Sequence, residues 1–236
     1  MTHKLLMARA GSSTFSPLSL SPFLMVDSND SADFTFSSGS IVSQWNDLSG
    51  NGRHFTSSGT PEPTRTGTQN GRPTVVFDGV NDYMVTAAWA AISQPTTIVT
   101  VAQFDSIANP SHYLYDGLGT SNRHAIISGT GYGTINHFAG IEAQAGAKDL
   151  NWHIFAVEYN GASTRVRIDG GAASTIDVGT QTLTGLTLAS RFSIGDRLNG
   201  EVAHLFLKNA ALSLADLNSL GSYLGGRWGV TWTTAT

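Results

Sequence analysis

The sequence predicts an all-β domain, a sandwich or barrel of many short strands. Short apolar runs recur between clusters of Gly, Asn, Asp and Ser at fairly regular spacing, the pattern of strands alternating with tight turns. At 236 residues the chain fits one large all-β unit, a class that routinely exceeds about 200 residues undivided, and 40% hydrophobic residues suffice for a core between two sheets. Only 13% of residues are charged, against roughly 25% in an average globular protein, so Ser, Thr, Asn and Gly must finish the surface.

Residues 1–16 are small, polar and without period, and read as an extended N-terminal arm. Pro17 and Pro22 punctuate the entry to a single domain over residues 17–236. Two segments then push a strand into a Gly/Asn/Asp turn: residues 44–55 (Gln-Trp-Asn-Asp-Leu-Ser-Gly-Asn-Gly-Arg-His-Phe) and residues 72–83 (Arg-Pro-Thr-Val-Val-Phe-Asp-Gly-Val-Asn-Asp-Tyr). Residues 97–104 are β-branched and nearly continuous, which predicts a central strand. Residues 152–159 read the same way, and Asn160-Gly161 opens a tight turn because both residues tolerate positive φ. Arg165-Val166-Arg167-Ile168 alternates, arginines to water and Val/Ile to the core, before Asp169-Gly170-Gly171 closes the strand. Residues 192–195 and 202–207 predict two more strands.

One helix is expected near 213–224. Ser213 is its N-cap with Asp216 three positions on, a capping-box arrangement. Leu214, Leu217, Leu220 and Leu224 form one apolar stripe, and Gly225-Gly226 supplies the stop. Trp228, Val230 and Trp232 alternate as a closing strand.

A net charge of −4 with three lysines (Lys4, Lys148 and Lys208) gives no basic footprint for nucleic acid or anionic membranes. There is no cysteine, which excludes disulfides, thiolate catalysis and Cys-ligated zinc. The apolar run near the N-terminus is shorter than the roughly 7–15 residues of a secretory signal. No window approaches the ~18 apolar residues of a membrane helix.

Four blocks of sequence resemble the laminin-G-like domains of bacteria and phages, within the concanavalin-A-like lectin/glucanase jelly rolls. The first is residues 21–27, where that family usually carries Trp at the place of Met25. The second is the pair of turn-forming segments above. The third is the hairpin of residues 152–170, with its Trp152-His153 opening and Asp169-Gly170 close. The fourth runs from residues 192–204 through the capped helix to Val230, and here the family more often has an acidic residue than His204. The resemblance implies a two-sheet antiparallel jelly-roll sandwich, with more strands than the eight of a simple jelly roll. It implies recognition more often than catalysis.

Candidate chemistry follows from residue type and spacing. Two-carboxylate glycan hydrolysis needs carboxyl groups about 5–10 Å apart, which one strand supplies at i, i+2 and i+4. The four glutamates, Glu62, Glu142, Glu158 and Glu201, are far apart in sequence. No Gly-x-Ser-x-Gly elbow is present, and the seven histidines lack metalloprotease spacing. His54 and His153, inside the family-like blocks, are expected to be structural. Residues 129–133, Gly-Thr-Gly-Tyr-Gly, lack the Lys and the strand-to-helix context of a phosphate loop. Calcium, as the only cofactor entertained, wants six to eight oxygens. Two segments offer them: Asp27, Ser28, Asn29 and Asp30 with Asp33, and Asp78, Asn81 and Asp82, the latter preferred. Both also read as Asx turns. An aromatic platform beside planar polar groups would suit a glycan, and the middle of the chain supplies Tyr113, Tyr115, Asp116, Arg123, His124, Tyr132 and His137.

Taken with the resemblance, these features lead to the expectation of a protein without enzymatic activity: a phage virion structural, decoration or fibre protein. It would be made in the host cytoplasm and docked on other virion proteins through residues 1–16. Host-surface polysaccharide is the expected ligand, and a homo-oligomer would strengthen weak glycan contacts. Two alternatives remain open: a free bacterial carbohydrate-binding module, and a glycan hydrolase or lyase with dispersed catalytic residues, whose turnover would fall when Glu142, Glu158 or Glu201 becomes Gln.

Overall fold

The computed structural model describes residues 15–106, 112–128 and 133–236. The arm predicted over residues 1–16 therefore lies almost wholly outside the described residues. Of its last two positions, Phe15 packs edge-on against the Tyr223 ring at 5.9 Å.

The described residues form an all-β fold with one C-terminal helix. In chain order the strands are β1 (Leu24–Asp27), β2 (Phe34–Ser38), β3 (Ile41–Trp45), β4 (Phe55–Thr56), β5 (Thr64–Gln69) and β6 (Arg72–Asp78). They continue with β7 (Met84–Thr86), β8 (Thr96–Phe104), β9 (Tyr113–Asp116), β10 (Ala125–Ser128), β11 (Thr134–Phe138) and β12 (Glu142–Ala147). Last come β13 (His153–Tyr159), β14 (Thr164–Ile168), β15 (Ser174–Ile176), β16 (Thr187–Leu188) and β17 (Asn199–Lys208), before helix α1 (Leu214–Trp228).

Every ladder is antiparallel, and the pairings run on without a break. From β12 they pass through β11, β10, β9, β16, β7, β4 and β3, cross to β5 at the single pair Ile41–Thr64, and continue through β6, β17, β8, β13 and β14 to β15. β2 adds to β3 and β1 to β17. The two ends of this path, β12 and β15, lie against each other. The sheet is thus nearly closed into a barrel, where two separate sheets were expected.

The barrel interior is filled by Trp45, Phe55, Phe77, Phe104, Tyr115, Phe155 and Tyr159, all buried. β8 sits between β17 and β13, and its alternate residues serve two cores. Ile98, Ala102 and Phe104 face the interior, while Val99 and Val101 face outward beneath α1. Burial on both faces explains the uninterrupted β-branched run.

Helix α1 begins as predicted: Ser213 Oγ accepts the Asp216 N–H at 3.1 Å. It ends later than predicted. The chain stays helical through Gly225 and Gly226 to Trp228, and the stop is Gly229 in the left-handed region at φ 69°. Leu217, Leu220, Leu224 and Trp228 are buried on Met25, Val99, Val101, Ile154 and Phe206, each large side chain contributing about 1.5–3 kcal/mol. Leu214, counted in the predicted stripe, is 49% exposed.

Three further expectations are corrected. Residues 192–195 form a turn, closed by Arg191 N–H to the Gly195 carbonyl at 2.9 Å, with Ile194 at φ 58°. Arg167 is buried and donates to the carbonyls of Gly171 at 3.1 Å and Thr236 at 2.8 Å; the C-terminal tail covers it. Trp228 ends the helix, and the segment after it joins β-structure only through the bridge Gly170–Thr233.

Candidate functional site

The residues expected to form a glycan platform fold into two arrangements. Tyr115, Asp116, His124 and His137 are fully buried and present no face to a ligand. Tyr159 Oη donates to the Ala125 carbonyl at 3.0 Å, which leaves the Tyr115 hydroxyl to donate to Tyr159 at 3.0 Å. The His124 ring stacks on Tyr159 with centroids 4.3 Å apart. Its Nε2–H donates to the Gln181 carbonyl at 2.9 Å, so Nδ1 accepts from the Thr96 hydroxyl at 3.0 Å. Burial pushes the imidazoles of His124 and His137 down to about 4, and both are neutral at pH 7. Tyr132 lies outside the described residues.

Arg123 forms the second arrangement. Its guanidinium makes a bidentate pair with Asp116, Nε to Oδ1 at 2.9 Å and Nη2 to Oδ2 at 2.9 Å. The rings of Phe138, Phe192 and Tyr113 surround it, with centroids 4.3, 4.6 and 5.9 Å away. The half-buried Phe138 and Phe192 were missed in the sequence. Strand alternation held the signal for Phe138, because His137 inward places Asn136 and Phe138 outward.

The preferred calcium segment is an Asx turn. Asp78 Oδ1 accepts the N–H groups of Val80 at 2.8 Å, Asn81 at 3.1 Å and Asp82 at 3.3 Å. Asp82 Oδ2 in turn accepts Asp78 N–H at 3.1 Å, and Asn81 Nδ2 donates to the Thr60 carbonyl at 2.8 Å. Burial, with the Asp78 charge beside it, pushes Asp82 up to about 6. Among the described residues no group of three or more His, Asp or Glu side chains is placed to hold a metal ion. These oxygens are spent on the backbone and do not fit a calcium shell. His54 and His153 take the structural roles expected: His54 Nδ1 accepts Asp47 N–H at 3.0 Å, and His153 Nδ1 meets Asp169 at 2.6 Å.

Glu158 and Glu201 do not converge. Glu158 and Glu201 flank β8 opposite Thr97 and Gln103 respectively, six residues apart and so separated by about 20 Å along the strand. Glu142 lies on β12 and is held by Asn136 Nδ2 at 2.5 Å. Glu158 and Glu201 therefore lie too far apart for the roughly 5–10 Å that two-carboxylate hydrolysis needs.

A different constellation does converge. Asp27, on β1, stands opposite His204 on β17, and Arg227 reaches down from α1. Asp27 Oδ2 lies 3.3 Å from His204 Nδ1 and 2.9 Å from Arg227 Nε, and Oδ1 accepts from Arg227 Nη2 at 3.0 Å and Asn29 N–H at 2.9 Å. Burial opposes the Asp27 charge, but the hydrogen bonds from His204, Arg227 and Asn29 outweigh it and hold the carboxyl well below the usual range. Asp27, Asp33, His204, Tyr223 and Arg227 line a cleft of about 160 Å³, walled by Ser16, Pro17 and Leu18. The pKa of Asp33 is raised there by its own burial and by the charges of Asp30 and Asp27. Asp30 itself caps the turn of residues 31–33 by accepting Ala32 N–H at 3.0 Å.

No protein-family model matches the chain, and no curated protein matches it. Solved structures do. A Trypanosoma rangeli sialidase in complex with sialic acid aligns at a TM-score of 0.61 and 13% identity, over 92% of this chain and 34% of its own. A GH54 α-L-arabinofuranosidase aligns at 0.59 and 14%, over 80% of this chain and 51% of its own. Domain 4 of a GH43 extracellular arabinanase from Geobacillus stearothermophilus, in complex with arabinotriose, aligns at 0.54 and 14%, over 74% of this chain and 91% of its own. The chain thus spans about a third of the sialidase and half of the arabinofuranosidase.

At such identity the likeness establishes the fold alone. It nevertheless overturns the expectation of a non-enzymatic phage virion protein, because these three aligned chains are glycoside hydrolases or a part of one. The resemblance to laminin-G-like domains stands only in coarser form, as a β-rich fold of carbohydrate-related proteins. Among the described residues no helix is long and apolar enough to cross a membrane.

Proposed function

We propose that this chain is an oligosaccharide-handling domain of the glycoside-hydrolase kind. The observation that carries this reading is the alignment with domain 4 of the arabinanase, which is covered over 91% of its length and is itself bound to arabinotriose. A unit of this size and fold holds an oligosaccharide there, as part of a larger hydrolase. In this reading the two walls of the near-barrel act as the two sheets of a concanavalin-A-like jelly roll.

Hydrolysis by this chain itself is a second reading, favoured by Asp27 and Asp33. One carboxyl is held ionised and the other pushed toward its protonated form within one cleft. Two-carboxylate catalysis uses that division between nucleophile or base and acid.

Isothermal titration of arabinotriose into the full chain, with reducing-sugar release from arabinan measured in parallel, tests both. Saturable heat is the expected result. Sugar release that disappears in Asp33→Asn would promote the second reading. Absence of heat with arabinotriose, and with xylotriose and cellotriose, would overturn the first.

A further inference from the structure

The cleft beneath α1 holds polar groups that the fold leaves unused. His204 is fully buried, and its Nδ1 faces Asp27. Because Asp27 is a carboxylate, Nδ1 is the donor of this pair, and in the neutral ring Nε2 then presents a lone pair. Among the described residues that Nε2 has no hydrogen-bond partner. Buried polar atoms are nearly always satisfied, so an orphan lining a cleft points to something that fills it. The Asp33 side chain shares the cleft and accepts no hydrogen bond among the described residues, although it is spaced from Asp27 by only one short turn. The neighbouring guanidinium of Arg227 is already committed to Asp27.

The unfilled acceptors are therefore His204 Nε2 and the Asp33 carboxylate. Among the described residues Arg227 Nε makes no hydrogen bond but is ion-paired with Asp27 Oδ2 at 2.9 Å, so the cleft they line has no unpaired cation. A ligand that brings hydroxyl donors and no charge meets both conditions. A sugar carboxylate would face Asp27 and Asp33 with nothing to neutralise it. The volume of about 160 Å³ is that of on the order of five water molecules at about 30 Å³ each, which suits one sugar ring. Tyr223 supplies an aromatic wall. Two further hollows share lining residues with the cleft: one of about 900 Å³ through Ser16 and Tyr223, and one of about 570 Å³ through Leu18 and Leu48. A ring seated centrally has room for neighbours on either side.

We infer that the Asp27–His204–Arg227 cleft seats one ring of a neutral oligosaccharide, with His204 Nε2 and Asp33 accepting hydroxyl hydrogen bonds and Tyr223 packing on the ring. The inference rests on the oligosaccharide-handling reading. Asp27 positions the imidazole and the guanidinium and does not touch the ligand.

The test is isothermal titration with arabinotriose and, separately, sialic acid, on the full-length chain and three variants. His204→Leu removes the orphan acceptor. Asp33→Asn, on a half-buried turn that packs no core, serves as the second probe should the first fail to fold. Phe138→Ala alters the distant aromatic patch. The expected result is arabinotriose binding weakened at least about tenfold in Asp33→Asn, unchanged in Phe138→Ala, and no heat with sialic acid. Arabinotriose binding that is equal in wild type and Asp33→Asn, that is lost in Phe138→Ala, or that sialic acid matches would overturn the cleft assignment while leaving the oligosaccharide reading intact. No binding of any neutral trisaccharide by the wild type would overturn both.

Discussion

His124 and His137 have chemistry suited to a ligand and positions that deny them one. Each donates Nε2–H to a backbone carbonyl, Gln181 at 2.9 Å and Ala145 at 3.0 Å, inside the barrel wall. Burial pushes both down to about 4 from an ordinary 6.5. The unfolded chain therefore binds protons that the folded chain refuses. Stability is complete above about 6.5 and falls as pH drops toward 4, each histidine withdrawing on the order of 3 kcal/mol by the end of that window. Urea denaturation at pH 7 and pH 4.5 checks this. In His137→Leu the difference between the two stabilities should shrink by about 2 kcal/mol. An unchanged difference would mean that His137 already titrates normally in the fold.

At the scale of elements, α1 and the tail behind it are one unit. Gly221 and Gly225 are helical, and they permit close approach: a Cβ on Gly221 would lie 2.1 Å from the Trp232 ring, and one on Gly225 would lie 2.5 Å from the Val230 carbonyl. Trp232 Nε1 donates to Asn218 Oδ1 at 3.0 Å, which anchors the tail to the same helix face. Taken alone, Gly221→Ala should stabilise a helix by about 1 kcal/mol. Here the methyl must displace the indole, and overpacking of this kind costs about 1–3 kcal/mol. The variant should therefore melt lower and show red-shifted tryptophan emission. A higher melting temperature with unchanged emission would mean that the tail does not pack there. The approach of Gly225 to the Val230 carbonyl shows why the Gly225-Gly226 pair misleads as a helix stop, since a glycine serves close packing as readily as termination.

At the scale of the molecule, what the sequence revealed depended on how locally each feature is encoded. β8, β13 and the Ser213 cap were legible because periodicity and capping act within a few residues. The Asp27 cleft was not, because its members are 177 and 200 positions apart and meet only when β1 joins β17 and α1 folds over them. Barrel closure was equally hidden, since no local pattern marks which two strands meet last. That seam is between β12 and β15, beside β14, where Gly146 adopts φ 111° and a Cβ would approach Ile168 Cδ1 to 2.4 Å. Val at this position must take a left-handed backbone and shift Ile168, with a backbone cost of about 1–3 kcal/mol. Residues lining the seam, such as Ala145, Val166 and Ser174, are not among those lining the cleft. Gly146→Val should therefore lower the unfolding free energy measured by urea denaturation by that amount while leaving arabinotriose affinity within twofold of wild type. Loss of affinity in step with stability would mean that seam and cleft open together as one cooperative unit, and that the near-barrel must be fully closed to hold its ligand.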